Sequence, residues 1–103
     1  MGGLRMTFAT AMVLQGLAKG LRHGFDIADL TGIRGGTVYP ILRRLERMGL
    51  VASEWEDVEI SREEGRPTRR YYRLREEAGP LVADAQRRFP LTDQLGQAWE
   101  ATS

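Results

Sequence analysis

The residues best equipped for chemistry in this 103-residue chain are arginines. Arg34, Arg43, Arg44 and Arg47 fall close together beside a single acid, Glu46, and Arg66, Arg69 and Arg70 follow soon after Gly65. A guanidinium is permanently charged and presents a planar fork of N–H donors, so its chemistry is the recognition of anions and paired acceptors rather than proton transfer. Phosphate oxygens and the O6/N7 edge of guanine are two such targets. Catalytic machinery is poorly supplied by comparison. With no cysteine and one histidine, His23, the chain has no thiol nucleophile, disulfide framework, cysteine-ligated zinc, multi-histidine metal site or histidine-based triad. No phosphate-binding glycine loop or convincing carboxylate pair stands in for them. These absences argue against an enzyme and imply no cofactor. His23 reads as a structural or capping residue.

The first arginine group sits on a helix. Stepping about 100° per residue from Val38 places Val38, Ile41, Leu42, Leu45, Met48 and Gly49 on one side, with Tyr39, Pro40, Arg43 and Arg47 opposite. Pro40 is tolerated only near a helix start, so the helix begins close to Arg34 or Gly35, and Gly49 stops it. Such a helix, apolar within and basic outside, is suited to a DNA major groove, although a plain solvated face carries the same pattern. Before it, Phe8, Met12, Val13 and Leu17 recur at helical spacing between Arg5 and Lys19. A short second helix from about Phe25 to Leu30 offers Phe25, Ile27, Ala28 and Leu30 for burial. Two helices, a turn and a third helix with an arginine-bearing outer face make a helix-turn-helix.

After Gly49, the stretches Val51–Glu56 and Arg70–Leu74 alternate with period two and read as a paired hairpin with Tyr72 and Leu74 inward. Between them, Asp57 to Thr68 reads as a polar loop. Glu54 to Glu64 holds six acids against Arg62, a run that phosphate would repel. Trp55 is expected in core or dimer packing. From Glu76 to Phe89 a fourth helix carries Pro80 in its first turn and an apolar stripe of Ala78, Leu81, Val82, Ala85 and Phe89. A further short helix is expected after Pro90, with Thr92 as its cap and Leu91, Leu95 and Trp99 on one side.

Taken together, Arg22-His23-Gly24-Phe25-Asp26-Ile27, Gly36-Thr37-Val38-Tyr39-Pro40-Ile41-Leu42-Arg43-Arg44-Leu45-Glu46, Gly49-Leu50-Val51, Gly65-Arg66-Pro67 and Tyr71-Tyr72-Arg73-Leu74 resemble the PadR-like transcriptional regulators. The resemblance spans roughly Val13 to Phe89. It departs from the family in a shorter second helix, a lengthened acidic wing, and Arg34-Gly35 where Ser-Pro commonly precedes Gly-Thr, which removes a serine cap.

The expected fold is therefore mainly α (α+β): a winged helix-turn-helix over residues 1–75, with three helices and a two-stranded β-wing, followed by a C-terminal dimerisation helix and short tail helix over 76–103. On a DNA-binding reading, Arg43 is placed to read guanine, while Arg34, Thr37 and Tyr39 at the helix start meet phosphate or a thymine methyl. Arg44 and Arg47 reach the backbone, Arg66 enters a narrow minor groove, and Arg69 and Tyr71 share the outward strand face. The apolar stripe calls for a partner, and the resemblance implies a homodimer contacting through that helix; Leu81, Val82, Ala85, Phe89, Leu95 and Trp99 are its candidates. The resemblance also implies repression at a double-stranded operator. It further implies that some members answer to small molecules, in places at the dimer centre, which Phe89 would line.

Net charge is only +1, so the segregation of charge carries the signal rather than its sum. No apolar run ends in a small-residue cleavage site and no segment approaches the length of a membrane span, so a cytoplasmic protein without a membrane partner is expected. Two other readings compete: a winged helix that binds protein, and a dimeric small-molecule sensor without sequence-specific DNA binding.

Overall fold

The computed structural model describes residues 4–91. Leu95, Trp99 and the tail helix expected around them lie outside the described residues. In chain order the elements are α1 (Phe8–Ala18), α2 (Gly24–Thr31), α3 (Gly35–Arg47), β1 (Val51–Trp55), α4 (Val58–Glu64), β2 (Arg70–Leu74), a 3-10 turn (Glu76–Ala78) and α5 (Gly79–Arg88). This is a winged helix fold with one two-stranded antiparallel sheet among the described residues.

The centre of the fold is α1. Its sequence, Phe-Ala-Thr-Ala-Met-Val-Leu-Gln-Gly-Leu-Ala, contains no charge, and Thr10 to Leu17 are all buried. A helix without a polar face must be covered on every side, and α2, α3, β2 and α5 pack around it. Thr7 starts the helix by accepting the Thr10 N–H through Oγ1 at 3.1 Å. Phe8, expected in the core, is exposed at that first turn, where its ring meets Phe89 edge-on at 6.2 Å between centroids.

Helix α2 inserts Ile27 into the core. Phe25 sits two residues, or about 200°, away from Ile27 and so points outward. Instead of the expected burial, it is 70% exposed. Helix α3 buries Val38, Leu42 and Leu45, as its period requires, while Met48, beyond the last helical residue, is exposed. The two helices approach closely at Gly24: a Cβ there would lie 2.5 Å from a ring carbon of Tyr39.

The hairpin pairs Val51 with Leu74, Ser53 with Tyr72 and Trp55 with Arg70. Tyr72 is buried and Leu74 packs partly into the core. On the other edge of β2, the Tyr72 N–H donates to the Arg22 carbonyl at 2.8 Å, fastening the wing to the turn before α2.

The segment after β1 departs from expectation. Where the composition predicts a polar loop from Asp57 to Thr68, the chain forms α4. Asp57 Oδ1 accepts the Glu59 N–H at 2.9 Å, and Gly65 ends the helix in the left-handed region at φ 65°. Those two residues bracket a run of good helix formers. Ser61, buried, accepts or donates across to Thr68 at 2.9 Å and closes the segment on itself.

Helix α5 begins with Pro80 in its first turn and lies on α1. Ala78 and Ala85 are fully buried, and Leu81, Val82 and Phe89 are half-buried against the same core. Ala85 therefore has no surface to offer a partner, contrary to its expected place in a dimer contact. One side chain organises this packing. The buried Gln15 donates through Nε2 to the carbonyls of Ala11 at 3.1 Å and Phe89 at 2.7 Å, and its Oε1 accepts the Leu91 N–H at 3.0 Å.

Two substitutions test these contacts by thermal denaturation. Gly24→Ala places a methyl where the Tyr39 ring lies and moves that partly exposed ring aside, and it should cost about 1 kcal/mol, the low end of overpacking. Gln15→Leu leaves the end of α5 unpaired and should cost about 2 kcal/mol, whereas an unchanged midpoint would show that the clamp is dispensable.

Candidate nucleic-acid interface

Helix α3 presents Arg43, Arg44 and Arg47 on the side away from Val38, and Arg34 stands just ahead of its first turn. Arg34, Thr37, Tyr39, Arg43, Arg44 and Arg47 are all exposed. Among the described residues, none of the four arginines forms an ion pair. Arg34 occupies the position before the first turn without a side-chain cap, so the leading N–H groups of the helix face outward unclaimed by any neighbouring hydroxyl.

Between α3 and the wing runs a cleft of about 820 Å³, lined by Tyr39, Arg43 and Glu46 from α3, Trp55 and Arg70 from the strands, Phe25 from α2, and Arg69 before β2. The structure thus brings together Tyr39, Arg43, Arg66 and Arg69 of the sequence-predicted residues. Arg34, Thr37, Arg44 and Arg47 lie on the exposed surface of α3 outside the cleft lining.

A strut from Glu46 to Arg70, both of which line the cleft, joins α3 to the strands. Ser53 Oγ donates to Glu46 Oε2, Arg70 Nε donates to Ser53 Oγ at 3.0 Å, and an Arg70 Nη2 lies 3.6 Å from Glu46. The Arg70 guanidinium then rests over the Trp55 ring at 5.0 Å from its centroid. Trp55, expected in the core or a dimer, is 61% exposed, its ring oriented by this stack.

The far end of the wing is organised by a residue that sequence reasoning passed over. The Glu56 side chain is 1% exposed. Its carboxylate accepts from both Arg66 Nη groups, from the Arg69 N–H at 2.8 Å, and from the Tyr71 hydroxyl at 2.9 Å. Arg66 also pairs with Glu64 at 3.1 Å. The bidentate Arg66 bonds, first among the causes, hold the Glu56 carboxyl down to about 2. The same pairing raises Arg66, and the bond to Glu56 raises the Tyr71 phenol.

Arg66 and Tyr71 therefore do different work from that expected. With its guanidinium committed to two carboxylates, Arg66 closes the wing rather than projecting into a groove. Tyr71 turns away from the cleft and packs edge-on against His23 at 4.9 Å, with Arg22 over its ring at 5.1 Å. His23 does not cap α2 through its side chain. Burial lowers its pKa, so the imidazole is neutral at pH 7.

A three-helix unit, an outward basic helix and an adjoining wing in this order match the model of the transcriptional regulator PadR-like family over residues 13–80. The chain belongs to that family. A PadR family transcription regulator from Clostridium difficile R20291 superposes with a TM-score of 0.65 at 22% identity, over 79% of this chain and 85% of its own. One from Eggerthella lenta DSM 2243 gives 0.59 at 27% identity, over 90% of this chain and 85% of its own. Lactococcus lactis ZitR, solved in complex with DNA, shares the fold at 0.62 with 17% identity, over 98% of this chain and 62% of its own. Among curated proteins none matches the sequence.

For a PadR-like chain, Glu56 was the residue hardest to find. It stands in an acidic run that reads as solvated, and only the pairing of β1 with β2 brings it to Arg66. No group of three or more potential metal ligands occurs among the described residues, and no described helix is long and apolar enough to cross a membrane.

The Glu56 cluster has a pH signature. A carboxyl held below its ordinary value of 4.5 stabilises the fold fully above that value, and the contribution is lost as pH falls toward about 2. Melting temperature measured from about pH 6 to about pH 2 should fall more steeply in the native protein than in Glu56→Gln, which starts lower. Parallel curves would remove Glu56 as the source.

Proposed function

We propose that this PadR-like regulator is a homodimeric, non-enzymatic repressor acting in the cytoplasm, reading a pseudo-palindromic operator through α3. The observation that carries the reading is the outward face of α3, where Arg34, Arg43, Arg44 and Arg47 stand exposed, without acidic partners among the described residues, beside a basic cleft. Arginines without ion-pair partners among the described residues are available to an outside anion.

Roles divide by position on the helix. Arg43 lies on the exposed arc about two turns from the helix start and faces the cleft, and it is assigned to base edges, where a guanidinium pairs bidentately with guanine. Arg44, Arg47 and Arg34 meet phosphates, Thr37 and Tyr39 flank the helix start, and Arg69 meets the backbone from the wing side. Residues 1–75 are assigned to this task and 76–103 to dimerisation. The half-buried Leu81, Val82 and Phe89 leave an apolar edge on α5 that a second copy would cover. Two recognition helices related by a twofold axis would then require half-sites about one helical turn apart, or a multiple of it.

A second reading rests on α4, which exposes Val58 and Ile60 among Glu59, Glu63 and Glu64 and is suited to a protein partner. The two are separated by fluorescence anisotropy on duplexes tiled across the region upstream of the coding sequence, at several salt concentrations. On the DNA reading, Arg43→Ala should lose about 1–3 kcal/mol of preference for one tile over a shuffled control. Arg44→Ala should weaken all duplexes evenly and lower the salt slope by about 1. If both variants match the native protein, the protein-partner reading replaces it.

A further inference from the structure

We propose that Phe25 and Trp55 form the two apolar walls of a seat for one sugar–phosphate strand of the operator, an inference that rests on the DNA-binding reading. Phe25 is 70% exposed and Trp55 61% exposed, and both line the cleft that also holds Tyr39 and Arg43 of the recognition helix. Neither ring serves the core, which Ile27 from α2 and Val51 from β1 supply instead. Nor is Trp55 loosely displayed. Arg70 stacks on its ring at 5.0 Å and is itself held by Ser53 and Glu46, so the indole is presented in a fixed orientation.

The charges of the cleft select its occupant. Glu46 is matched by Arg70, and Arg66 is consumed by Glu56 and Glu64, while Arg43 and Arg69 make no ion pair among the described residues. The seat thus offers aromatic surface between two uncompensated guanidinium groups. A sugar–phosphate strand alternates in the same way, with apolar deoxyribose faces between anionic phosphates. The cleft is also continuous with α3, and a helix lying in a major groove has a bordering strand running along its flank. Arg43 thereby faces both the groove and the strand, while the rings contact sugar faces common to every sequence.

Apolar and ionic contacts leave different traces in salt. A phosphate contact releases counterions and steepens the fall of affinity with salt, by about 0.9 in the log–log slope, whereas an apolar contact changes affinity at every salt concentration alike. Phe25→Ala and Trp55→Ala should each weaken cognate and unrelated duplexes by about tenfold, with the slope unchanged. Arg69→Ala should lower the slope. Because both rings are exposed, circular dichroism melts of the two variants should coincide with the native protein. In a Trp99→Phe background, where Trp55 is the remaining tryptophan, adding duplex should quench or blue-shift the emission.

If the native protein binds duplex selectively but Phe25→Ala and Trp55→Ala bind within twofold of it, the seat is overturned and the DNA reading stands. The seat is overturned too if those variants lose affinity only through a shallower salt slope, or alter a protein or small-molecule interaction while binding duplex normally. Absence of duplex binding by the native protein removes both readings together.

Discussion

The placement of the wing depends on one enclosed carboxylate. Glu56 stands at the end of β1 and gathers donors from three points of the returning chain: the Arg66 guanidinium, the Arg69 backbone and the Tyr71 hydroxyl. A carboxylate removed from water is tolerated only where its lone pairs are satisfied, and here the donors that satisfy it come from either side of the turn into β2. The geometry of the hairpin is accordingly defined at its loop end as well as along its ladder. Without that pairing, a two-stranded ribbon of five residues a side would have little to fix its twist.

Two further links carry that order back to the helices. The Arg22 carbonyl takes the Tyr72 N–H on the outer edge of β2, and the chain of Glu46, Ser53 and Arg70 joins the last turns of α3 to both strands. The wing is thus set against the helical core and α3 from two directions. The cleft between α3 and the wing has a defined width because polar bonds join its two sides, while the aromatic groups at its rim remain uncovered. Division of labour among the arginines follows: those near carboxylates hold the protein together, and those on the outer arc of α3 are left for something else.

Much of this was legible from residue order. The apolar period of α3, Pro40 near its start, and the alternation on either side of the hairpin fixed the helix-turn-helix and wing, because each signal is local and strong. Three things were not. Helix α1 reads as a stripe of Phe8, Met12, Val13 and Leu17, but the absence of any charge along it signals that Thr10 to Leu17 are enclosed on every side, a signal present and underused. Helix α4 was hidden by composition: acidic residues suggested a loop, although Asp57 and Gly65 mark a helix start and stop. The roles of Arg66, Phe25 and Trp55 could not be read locally, since they depend on which residues the hairpin brings opposite one another and on which side of α2 meets the core. Spacing counted Phe25 as one more apolar residue; its angular separation from Ile27 carried the opposite message.

Helix α4 also changes what kind of object the wing is. A helix with its side chains measures about 10–12 Å across, against about 6 Å for the minor groove of B-form DNA. A wing carrying such a head is blunt where a bare turn would be a thin finger, and a blunt head bearing Glu59, Glu63 and Glu64 is repelled by the walls of that groove. On the proposed DNA-binding reading, such a wing would ride over a phosphate ridge on its strands, with the acidic helix held clear. On that reading, discrimination between base sequences would then fall to α3, with the wing as the outrigger that keeps that helix level.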